Sequence, residues 1–370
     1  MLDADEFDAW FRLLQTPGLG REGVRRLLAG FGSAEQVLRA SRAAWQQVVG
    51  AQLAEALATE PTELQPRLRA AHAWLERGER RQVLTVGDRD YPPQLLQSAD
   101  PPLLLYVQGQ VELLARRSLA IVGSRNASVA GLDNARAFGA HLSRQGWAIV
   151  SGLALGIDGA AHEGGLQGAG STIAVVGTGL DRVYPARHRE LARRIAEAGA
   201  LVSEFAPGTP PLPENFPLRN RIIAGLSRGT LVVEAALQSG SLITARLAAE
   251  NGREVFAVPG SIHSPLSRGC HALIRQGAKL VENAGDLLEE LQASTAAPAS
   301  AGSEPAQAPP PAARRDPVLE ALGHDPATLD ALCARTGFSA QRLSARLLEL
   351  ELEDQVARLP GGLYQRRSHV

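Results

Sequence analysis

Short apolar runs alternate with longer helical patterns between residues 118 and 281. Strands separated by helices form βαβ units, so this pattern predicts a mostly parallel sheet covered by helices on both faces. The proline-bounded segment Pro101–Tyr106, upstream of these runs, is predicted to be extended. The predicted strands are Leu119–Val122, Ala148–Val150, Thr172–Val176, Ala200–Ser203, Thr230–Val233, Glu254–Val258 and Lys279–Val281.

Residues 5 to 75 have a helical pattern without such strand runs. The turn Pro17-Gly18-Leu19-Gly20 separates two amphipathic stretches and predicts a helix-hairpin-helix. Glycines in such a turn let backbone amides approach a phosphate closely. A small helical domain that needs the glycines only for its own turn explains the pattern equally well.

The C-terminal part of the chain changes composition twice. Residues 293–313 are rich in Ala, Pro, Ser and Gly, which predicts a linker. Beyond it, three helical patterns and a hairpin pattern, residues 314–366, predict a winged helix. Its third helix, Ser339–Leu350, carries two arginines, but acidic residues lie on it and just beyond it, so contact with a protein is as well supported as contact with DNA.

The composition narrows the class of protein. A formal net charge of −1 excludes a uniformly basic surface, and Lys279 is the only lysine. Cys270 and Cys333 lie far apart without metal-ligand spacing, so we expect no disulfide and no metal site. No signal-peptide pattern or membrane-span run is present, and we expect a soluble, cytoplasmic protein.

Gly123-Ser124-Arg125 follows the first strand of the parallel set and precedes a helical pattern. A turn from a strand into a helix start offers backbone N–H groups and a positive dipole end to an anion. Arg125 adds a guanidinium suited to phosphate. A mononucleotide, a dinucleotide and a nucleic-acid backbone all fit this chemistry.

A second candidate segment, Pro207–Arg221, is proline-rich and predicted to be a stiff loop outside the sheet. It presents Phe216 beside Arg219, Asn220 and Arg221, a combination that suits single-stranded DNA because bases stack on the ring while arginines follow the phosphates. Phe216 as an anchor of the loop on the core is the alternative. Further on, Ser239, Gly240 and Thr244 stand at a predicted helix start, where they suit phosphate binding or N-capping.

Three residues invite a catalytic interpretation. Asp158 and His162 are four positions apart, and Glu234 follows a strand. We expect Asp158 to cap a helix, His162 to pack in the core, and Glu234 to pair with Arg221 or cap a helix. The sequence therefore predicts no catalytic residue.

Six segments of the α/β region, in this order and spacing, closely resemble the DprA/Smf family of DNA-processing proteins. The resemblance implies an extended Rossmann-like, mostly parallel sheet that binds single-stranded DNA (residues 82–292), a helical helix-hairpin-helix or SAM-like domain (residues 1–78) and a C-terminal winged helix. It implies a homodimer that loads RecA onto single-stranded DNA during natural transformation and has no enzymatic activity or cofactor. The segments are GSR at Gly123–Arg125, SGLALGIDGAAH at Ser151–His162, GTGLDRVYP at Gly177–Pro185, NFPLRNRIIAGL at Asn215–Leu226, EAALQSGSLITA at Glu234–Ala245 and VFAVPG at Val255–Gly260.

The resemblance also carries residues over to this chain. Nucleic-acid contacts fall on Gly123, Ser124, Arg125, Phe216 and the run Arg219–Arg221. Many family members have a lysine three residues before the phenylalanine, where this chain has Pro213; Arg187 is our candidate replacement, with solvated surface arginine as the alternative. The dimer face falls on His271, Ile274 and Leu280.

The competing hypothesis is a nucleotide-processing enzyme of the lysine-decarboxylase-like phosphoribohydrolase type. Its nucleotide loop resembles PGGxGTxxE, whereas this chain reads SRGTLVVE at Ser227–Glu234, without the glycine pair. A GxGxxG fingerprint is also missing at Gly123, which argues against a dinucleotide.

Overall fold

The computed structural model describes residues 3–78, 80–293, 316–323, 326–353, 355–359 and 362–367. Except for its first residue, the predicted linker 293–313 lies outside the described residues. None of the helices in the described ranges is both long enough and apolar enough to cross a membrane.

The N-terminal unit is helical, as predicted. Gly18 and Gly20, at the turn between its first two helices, have φ angles of +76° and +61°, which glycine adopts at little cost. Buried aromatic side chains, among them Phe7, Phe11 and Trp74, fill its core. The helices are α1 (Ala4–Gln15), α2 (Gly20–Phe31), α3 (Ala34–Arg39), α4 (Arg42–Val49), α5 (Ala51–Ala58) and α6 (Leu64–Glu76).

Within the described residues, a nine-stranded sheet follows, in the order β1-β2-β6-β5-β4-β3-β7-β8-β9. Strands β3 to β9 pair in parallel, and all seven predicted strands are present. β1 and β2 add an antiparallel extension beside β6. The strands are β1 (Arg81–Thr85), β2 (Leu104–Gly109), β3 (Ser118–Val122), β4 (Ala148–Ser151), β5 (Thr172–Val175), β6 (Ala200–Ser203), β7 (Gly229–Val232), β8 (Glu254–Ala257) and β9 (Lys279–Leu280).

Helices cover both faces of this sheet. Ala120 and Val122 pack in one apolar cluster, while Leu119 and Ile121, which alternate with them along β3, pack in another. Burial on both faces explains why the parallel strands are continuous apolar runs. The helices are α7 (Pro93–Leu96), α8 (Val129–Arg144), α9 (Ile157–Gly165), α10 (Arg189–Ala198), α11 (Asn215–Leu226), α12 (Ser241–Glu250), α13 (Arg268–Arg275) and α14 (Ala284–Ala293), with 3₁₀ turns at Val111–Ala115 and Ala186–His188.

The structure corrects the prediction that Pro207–Arg221 is a loop, because α11 begins at Asn215. Pro217 is the third residue of this helix. A proline is tolerated there, since the first N–H groups of a helix have no acceptor within it. Phe216, Arg219, Asn220 and Arg221 therefore lie on a helix, and their side chains point in directions set by its 3.6-residue period.

The C-terminal unit has the winged-helix elements that were predicted. Leu343, Leu347 and Leu350 of its third helix are buried, and Thr328 and Ser339 cap the second and third helices. In the described ranges a short strand, which was not predicted, joins the hairpin to give the order β10-β12-β11. The elements are α15 (Pro317–Leu322), β10 (Ala327–Thr328), α16 (Leu329–Thr336), α17 (Ala340–Leu352), β11 (Val356–Leu359) and β12 (Leu363–Arg366).

Candidate nucleic-acid interface

A cleft of about 790 Å³ opens at the carboxyl ends of β3 and β7. The chain runs outward from β3 through β4 and β5 to β6 and then returns to β7 on the other side of β3. Ligands of open α/β sheets bind at such a switch point. The cleft is lined by Gly123, Ser124, Arg125, Phe216, Arg219, Asn220, Ser239, Gly240 and Thr244 among the predicted residues, and by Asn126, Tyr184, Gln238 and Ser241 among others.

Close packing fixes the turn at Gly123. A Cβ atom there would lie 2.6 Å from Cγ1 of Ile157 and 2.8 Å from the carbonyl oxygen of Glu234, so only glycine fits. The backbone N–H of Ser124 donates to the Glu234 carbonyl (2.7 Å), and the Ser124 carbonyl accepts from the N–H of Ile157 (3.1 Å). The next side chain, Arg125, is exposed and extends from this rigid turn.

Arg125, Phe216 and Tyr184 form a platform that we call the Phe216 platform. The guanidinium carbon of Arg125 lies 5.8 Å from the centre of the Phe216 ring. The ring centre of Tyr184 is 5.5 Å from that of Phe216, with an interplanar angle of 38°. Tyr184 is 50% exposed, and sequence reasoning missed it as a site residue although it lies in the quoted segment GTGLDRVYP.

Helix starts surround the platform. Phe216 and Pro217 lie in the first turn of α11, and Gly240 and Ser241 at the start of α12 also line the cleft. α8 begins shortly after Asn126, with Ser128 as its N-cap. The positive ends of helix dipoles thus converge on the cleft, an arrangement that favours phosphate groups.

At the start of α12, the hydroxyls of Ser239 and Ser241 lie 2.7 Å apart, and Thr244 is buried in the cleft wall. The backbone N–H of Ser241, the first residue of α12, donates to Oγ of Ser239 (3.3 Å), and Gly240 is exposed. The segment therefore supports its own helix start as well as lining the cleft.

Arg219 lines the cleft but is buried in its wall. Its Nη1 donates to the carbonyl oxygens of Gly152 and Val175, and its Nε donates to Oδ1 of Asn220 (3.0 Å). Burial lowers the pKa of Arg219 to about 10, although the neighbouring Asp158 opposes the shift. Arg219 therefore holds the strand ends and α11 together, which sequence spacing alone did not reveal.

The three residues with a catalytic alternative have structural partners. The Asp158 carboxylate accepts from the N–H groups of Gly152 (3.1 Å) and Ala154 (3.3 Å), so it holds the turn before its helix instead of capping it; the N-cap is Gly156. His162, as expected, packs in the core between the N–H of Leu153 and the hydroxyl of Thr172, and burial lowers its pKa to about 3.

Glu234 does not pair with Arg221, and it does not cap a helix directly. Its carboxylate accepts from the backbone N–H of Ser128 (2.9 Å) and from the Ser128 hydroxyl, which itself caps α8. Burial raises the pKa of Glu234, while the bonds from Ser128 oppose the shift. The strand end of β7 is thereby tied to the start of α8.

The structure does not bring Arg221 and Arg187 to the cleft. Arg221 is two positions after Arg219 on α11 and so projects from a different side of the helix. Its guanidinium forms ion pairs with Glu204 and with Asp100 (3.3 Å to Nε). Arg187 is exposed in the 3₁₀ turn that follows Tyr184 and Pro185, and it is outside the cleft lining.

The predicted dimer residues lie on another part of the α/β unit. His271 and Ile274 are three positions apart on one side of α13, and Nε2 of His271 lies 3.0 Å from the carbonyl oxygen of Gly260. Leu280 on the edge strand β9 is 48% exposed, so it does not pack in the core.

Comparisons with known proteins agree with this architecture. Residues 82–292 match the family model described as DNA recombination-mediator protein A, and residues 302–362 match the DprA winged helix domain. Protein Smf of Escherichia coli is 46% identical over 299 residues, which cover 80% of this chain and 79% of that protein. DNA processing protein DprA of Streptococcus pneumoniae is 49% identical over 208 residues, or 56% of this chain and 73% of that protein.

Solved structures give the same result. The X-ray structure of DprA from Streptococcus pneumoniae superposes with a TM-score of 0.67 at 38% identity, covering 76% of this chain and 97% of that chain. A structure of DprA from Helicobacter pylori, described as having a unique single-stranded DNA binding mode, has a TM-score of 0.53 at 30% identity and covers 58% of this chain and 97% of that chain. Sequence, domain composition and fold together show that this chain belongs to the DprA/Smf family of DNA-processing proteins.

Proposed function

We propose that the cleft at the β3–β7 switch point binds single-stranded DNA. The observation that carries this proposal is the Phe216 platform, in which an exposed guanidinium and two adjoining aromatic rings share one wall of the cleft. The single-stranded DNA binding named for the Helicobacter pylori structure supports it.

The chemistry favours a single strand over a duplex. Unpaired bases can stack on Tyr184 and Phe216, and each stacked base contributes about 1–3 kcal/mol without a preference for sequence. Arg125 and the starts of α11 and α12 line the same cleft, which supports their role in binding the backbone phosphates. Arg219 is buried, and its Nε and Nη1 donate within the cleft wall, so we assign it to support of the site rather than to the strand.

We propose that the chain binds single-stranded DNA for the loading of RecA and catalyses no reaction on it. Glu234 is the carboxylate that a nucleotide-hydrolysing enzyme would need at this strand end, and Ser128 holds it on two sides. Membership of the family supports the finer proposal that the chain, as a homodimer, loads RecA onto the bound strand. Two linked sites would raise avidity for a long strand without any new contact.

Binding of oligothymidylate tests the cleft. Phe216→Ala should weaken binding by about 1–3 kcal/mol, because one stacking surface is lost. Arg125→Ala should lower the slope of log affinity against log salt by about 0.7, the value for one phosphate contact on a single strand. Fluorescence anisotropy at several salt concentrations measures both effects, and RecA assembly on the same strand should be accelerated less by Arg125→Ala than by the wild type.

Arg193→Ala is the matched control for Arg125→Ala. Arg193 is an exposed arginine of α10 held by Glu190 (2.6 Å) and Glu197, away from the cleft lining. If Arg125→Ala and Phe216→Ala both bind as tightly as the control, the site is wrong. A wild-type preference for duplex DNA would contradict the proposed ligand.

Leu280→Glu tests the dimer. A carboxylate on an apolar contact surface should convert the dimer to a monomer and weaken binding to long strands more than to short ones. Leu96→Glu is the control, because Leu96 is 46% exposed and Leu280 48%. Sedimentation measures the oligomeric state, and an unchanged state in Leu280→Glu would exclude this face.

A further inference from the structure

A row of arginines lies at the amino ends of the parallel strands, opposite the carboxyl ends at which the cleft opens. β3, β7 and β8 are neighbours in the sheet, and each is preceded by an arginine, respectively Arg117, Arg228 and Arg253. Since these strands are parallel, the three side chains begin at the same edge. Arg116 precedes Arg117, and Arg144 is the last residue of α8. We call these five arginines the basic edge.

Trp147 packs against two members of the basic edge. The guanidinium carbons of Arg117 and Arg228 lie 5.0 and 5.9 Å from the centre of the Trp147 ring. The ring itself is only 2% exposed, so it offers no surface on which a base could stack. The positive charges of Arg117 and Arg228 are therefore kept close to each other by their contacts with the same buried ring.

Neutral oxygens meet part of the hydrogen-bonding capacity of these arginines. Arg116 donates from Nη1 to the carbonyl of Ala169 (2.8 Å), and Arg117 donates to the carbonyl of Gln145. Nη2 of Arg253 donates to Oε1 of Gln97 (3.0 Å) and to the carbonyl of Gln94 (3.2 Å). A guanidinium has five N–H donors, so these bonds orient the side chains without using them up or neutralising them.

The charge of the basic edge has no carboxylate partner among the residues that the structure describes, since none forms an ion pair with any of the five arginines. The acidic residues on either side of Arg253 along the chain are engaged elsewhere, Glu250 with Arg246 (3.5 Å) and Glu254 with Lys279 (3.3 Å). Burial and the charge of Arg228 both lower the pKa of Arg253. An anion placed across the row would relieve this repulsion.

We propose that the basic edge is a second nucleic-acid contact, which binds the sugar-phosphate backbone. Neighbouring strands are about 5 Å apart, so the row presents a guanidinium to several successive phosphates. Guanidiniums match phosphate geometry with paired N–H donors. The buried ring excludes base stacking, so this contact recognises the charge, geometry and spacing of the phosphates and does not read the bases. The proposal is independent of the cleft.

The double variant R144Q/R228Q tests the basic edge. Among the described residues neither guanidinium makes a side-chain hydrogen bond, and Arg228 contributes only its contact with the Trp147 ring, so the fold should remain intact, as the thermal unfolding midpoint will show. For a long oligothymidylate, the slope of log affinity against log salt should fall by about 1.4, or about 0.7 for each lost phosphate contact. A short oligothymidylate of about 6 nucleotides, confined to the cleft, should bind unchanged.

The matched control is R39Q/R193Q, which removes the same charge from two exposed arginines held by carboxylates. If R144Q/R228Q gives the same salt slope as this control on the long strand, the proposal is overturned. Equal losses on short and long strands would also overturn it, because the variant would then act through the cleft or the fold. Repeating the measurement in Arg125→Ala separates the two sites, since the loss at the basic edge should persist there.

Polyglutamate distinguishes nucleic acid from other polyanions. The basic edge should be competed far better by oligothymidylate than by polyglutamate of equal charge. Equal competition would show a surface for acidic chains in general and would overturn the assignment to nucleic acid.

Discussion

The Phe216 platform brings together three residues from three separate segments of the chain. Arg125 follows β3, Tyr184 precedes a 3₁₀ turn, and Phe216 stands in the first turn of α11. The Arg125 guanidinium and the Tyr184 ring each lie within 6 Å of the centre of the Phe216 ring. Groups this close would contact the same part of the proposed strand, so their contributions to binding should not add independently.

Tyr184→Ala should weaken single-stranded DNA binding by about 1 kcal/mol, or about fivefold, because a half-exposed stacking surface is lost. Tyr184→Phe keeps the ring and should bind like the wild type. In a double-mutant cycle, Tyr184→Ala and Phe216→Ala together should cost less than the sum of the two single changes. Anisotropy titrations measure all four proteins. If Tyr184→Phe loses as much as Tyr184→Ala, the hydroxyl and not the ring makes the contact.

The sequence predicts which segments form the cleft better than it predicts which side chains face it. Gly123, predicted to follow a strand, and Ser239, predicted to stand at a helix start, both line the cleft together with Phe216. Arg219 and Arg221 carry the same side chain, two positions apart, and only the helical turn of α11 decides that one lies in the cleft wall and the other away from it. A segment expected to be a loop gave no basis for that distinction.

At the scale of elements, α11 connects the cleft to the helical N-terminal unit. Phe216 lies in its first turn, and Arg221 follows about one and a half turns later. Arg221 shares Asp100 with Arg21 and Arg25 of α2, and Nη2 of Arg21 lies 2.7 Å from that carboxylate. The first turn of the helix thus lines the proposed binding cleft, and its middle is held by ion pairs that involve Asp100, Glu204 and two arginines of α2.

Arg221→Gln separates a structural role from a DNA contact. Glu204 would lose its main partner while its side chain is only 13% exposed, so the free energy of unfolding should fall by about 1–3 kcal/mol. The salt slope for oligothymidylate should not change, because Arg221 is outside the cleft lining. Chemical denaturation and salt-dependent anisotropy measure the two quantities. A slope lowered by about 0.7 with unchanged stability would instead assign Arg221 to the DNA.

The predictability of elements follows from their burial. β3 to β8 are short apolar runs because helices cover both faces, and each was predicted to within one or two residues. β1 and β10 stand at sheet edges and carry mixed sequences, so no run revealed them. The start of α11 was missed because prolines at Pro213 and Pro217 suggested a loop, although a first helical turn accepts proline.

At the scale of the whole molecule, one sheet has two chemically different edges. The carboxyl ends of its strands carry the aromatic cleft, and the opposite edge carries arginines without carboxylate partners in the described part of the chain. A net charge of −1 conceals this arrangement, because a sum over the whole chain does not record where the charges lie. Total charge therefore says little about nucleic-acid binding by this chain.

The helical unit and the sheet share one apolar core. Tyr106 of β2 is buried against Phe7 and Trp74, with ring centres 6.5 and 5.9 Å away, and Leu201 of β6 belongs to the same cluster. The change of sequence pattern near residue 80 is therefore not a boundary between cores. In evolutionary terms, a relative that dispensed with the helical unit would have to carry more polar side chains at the positions of Tyr106 and Leu201. Apolar residues at these two positions should therefore accompany the helical unit among relatives, and polar residues its absence.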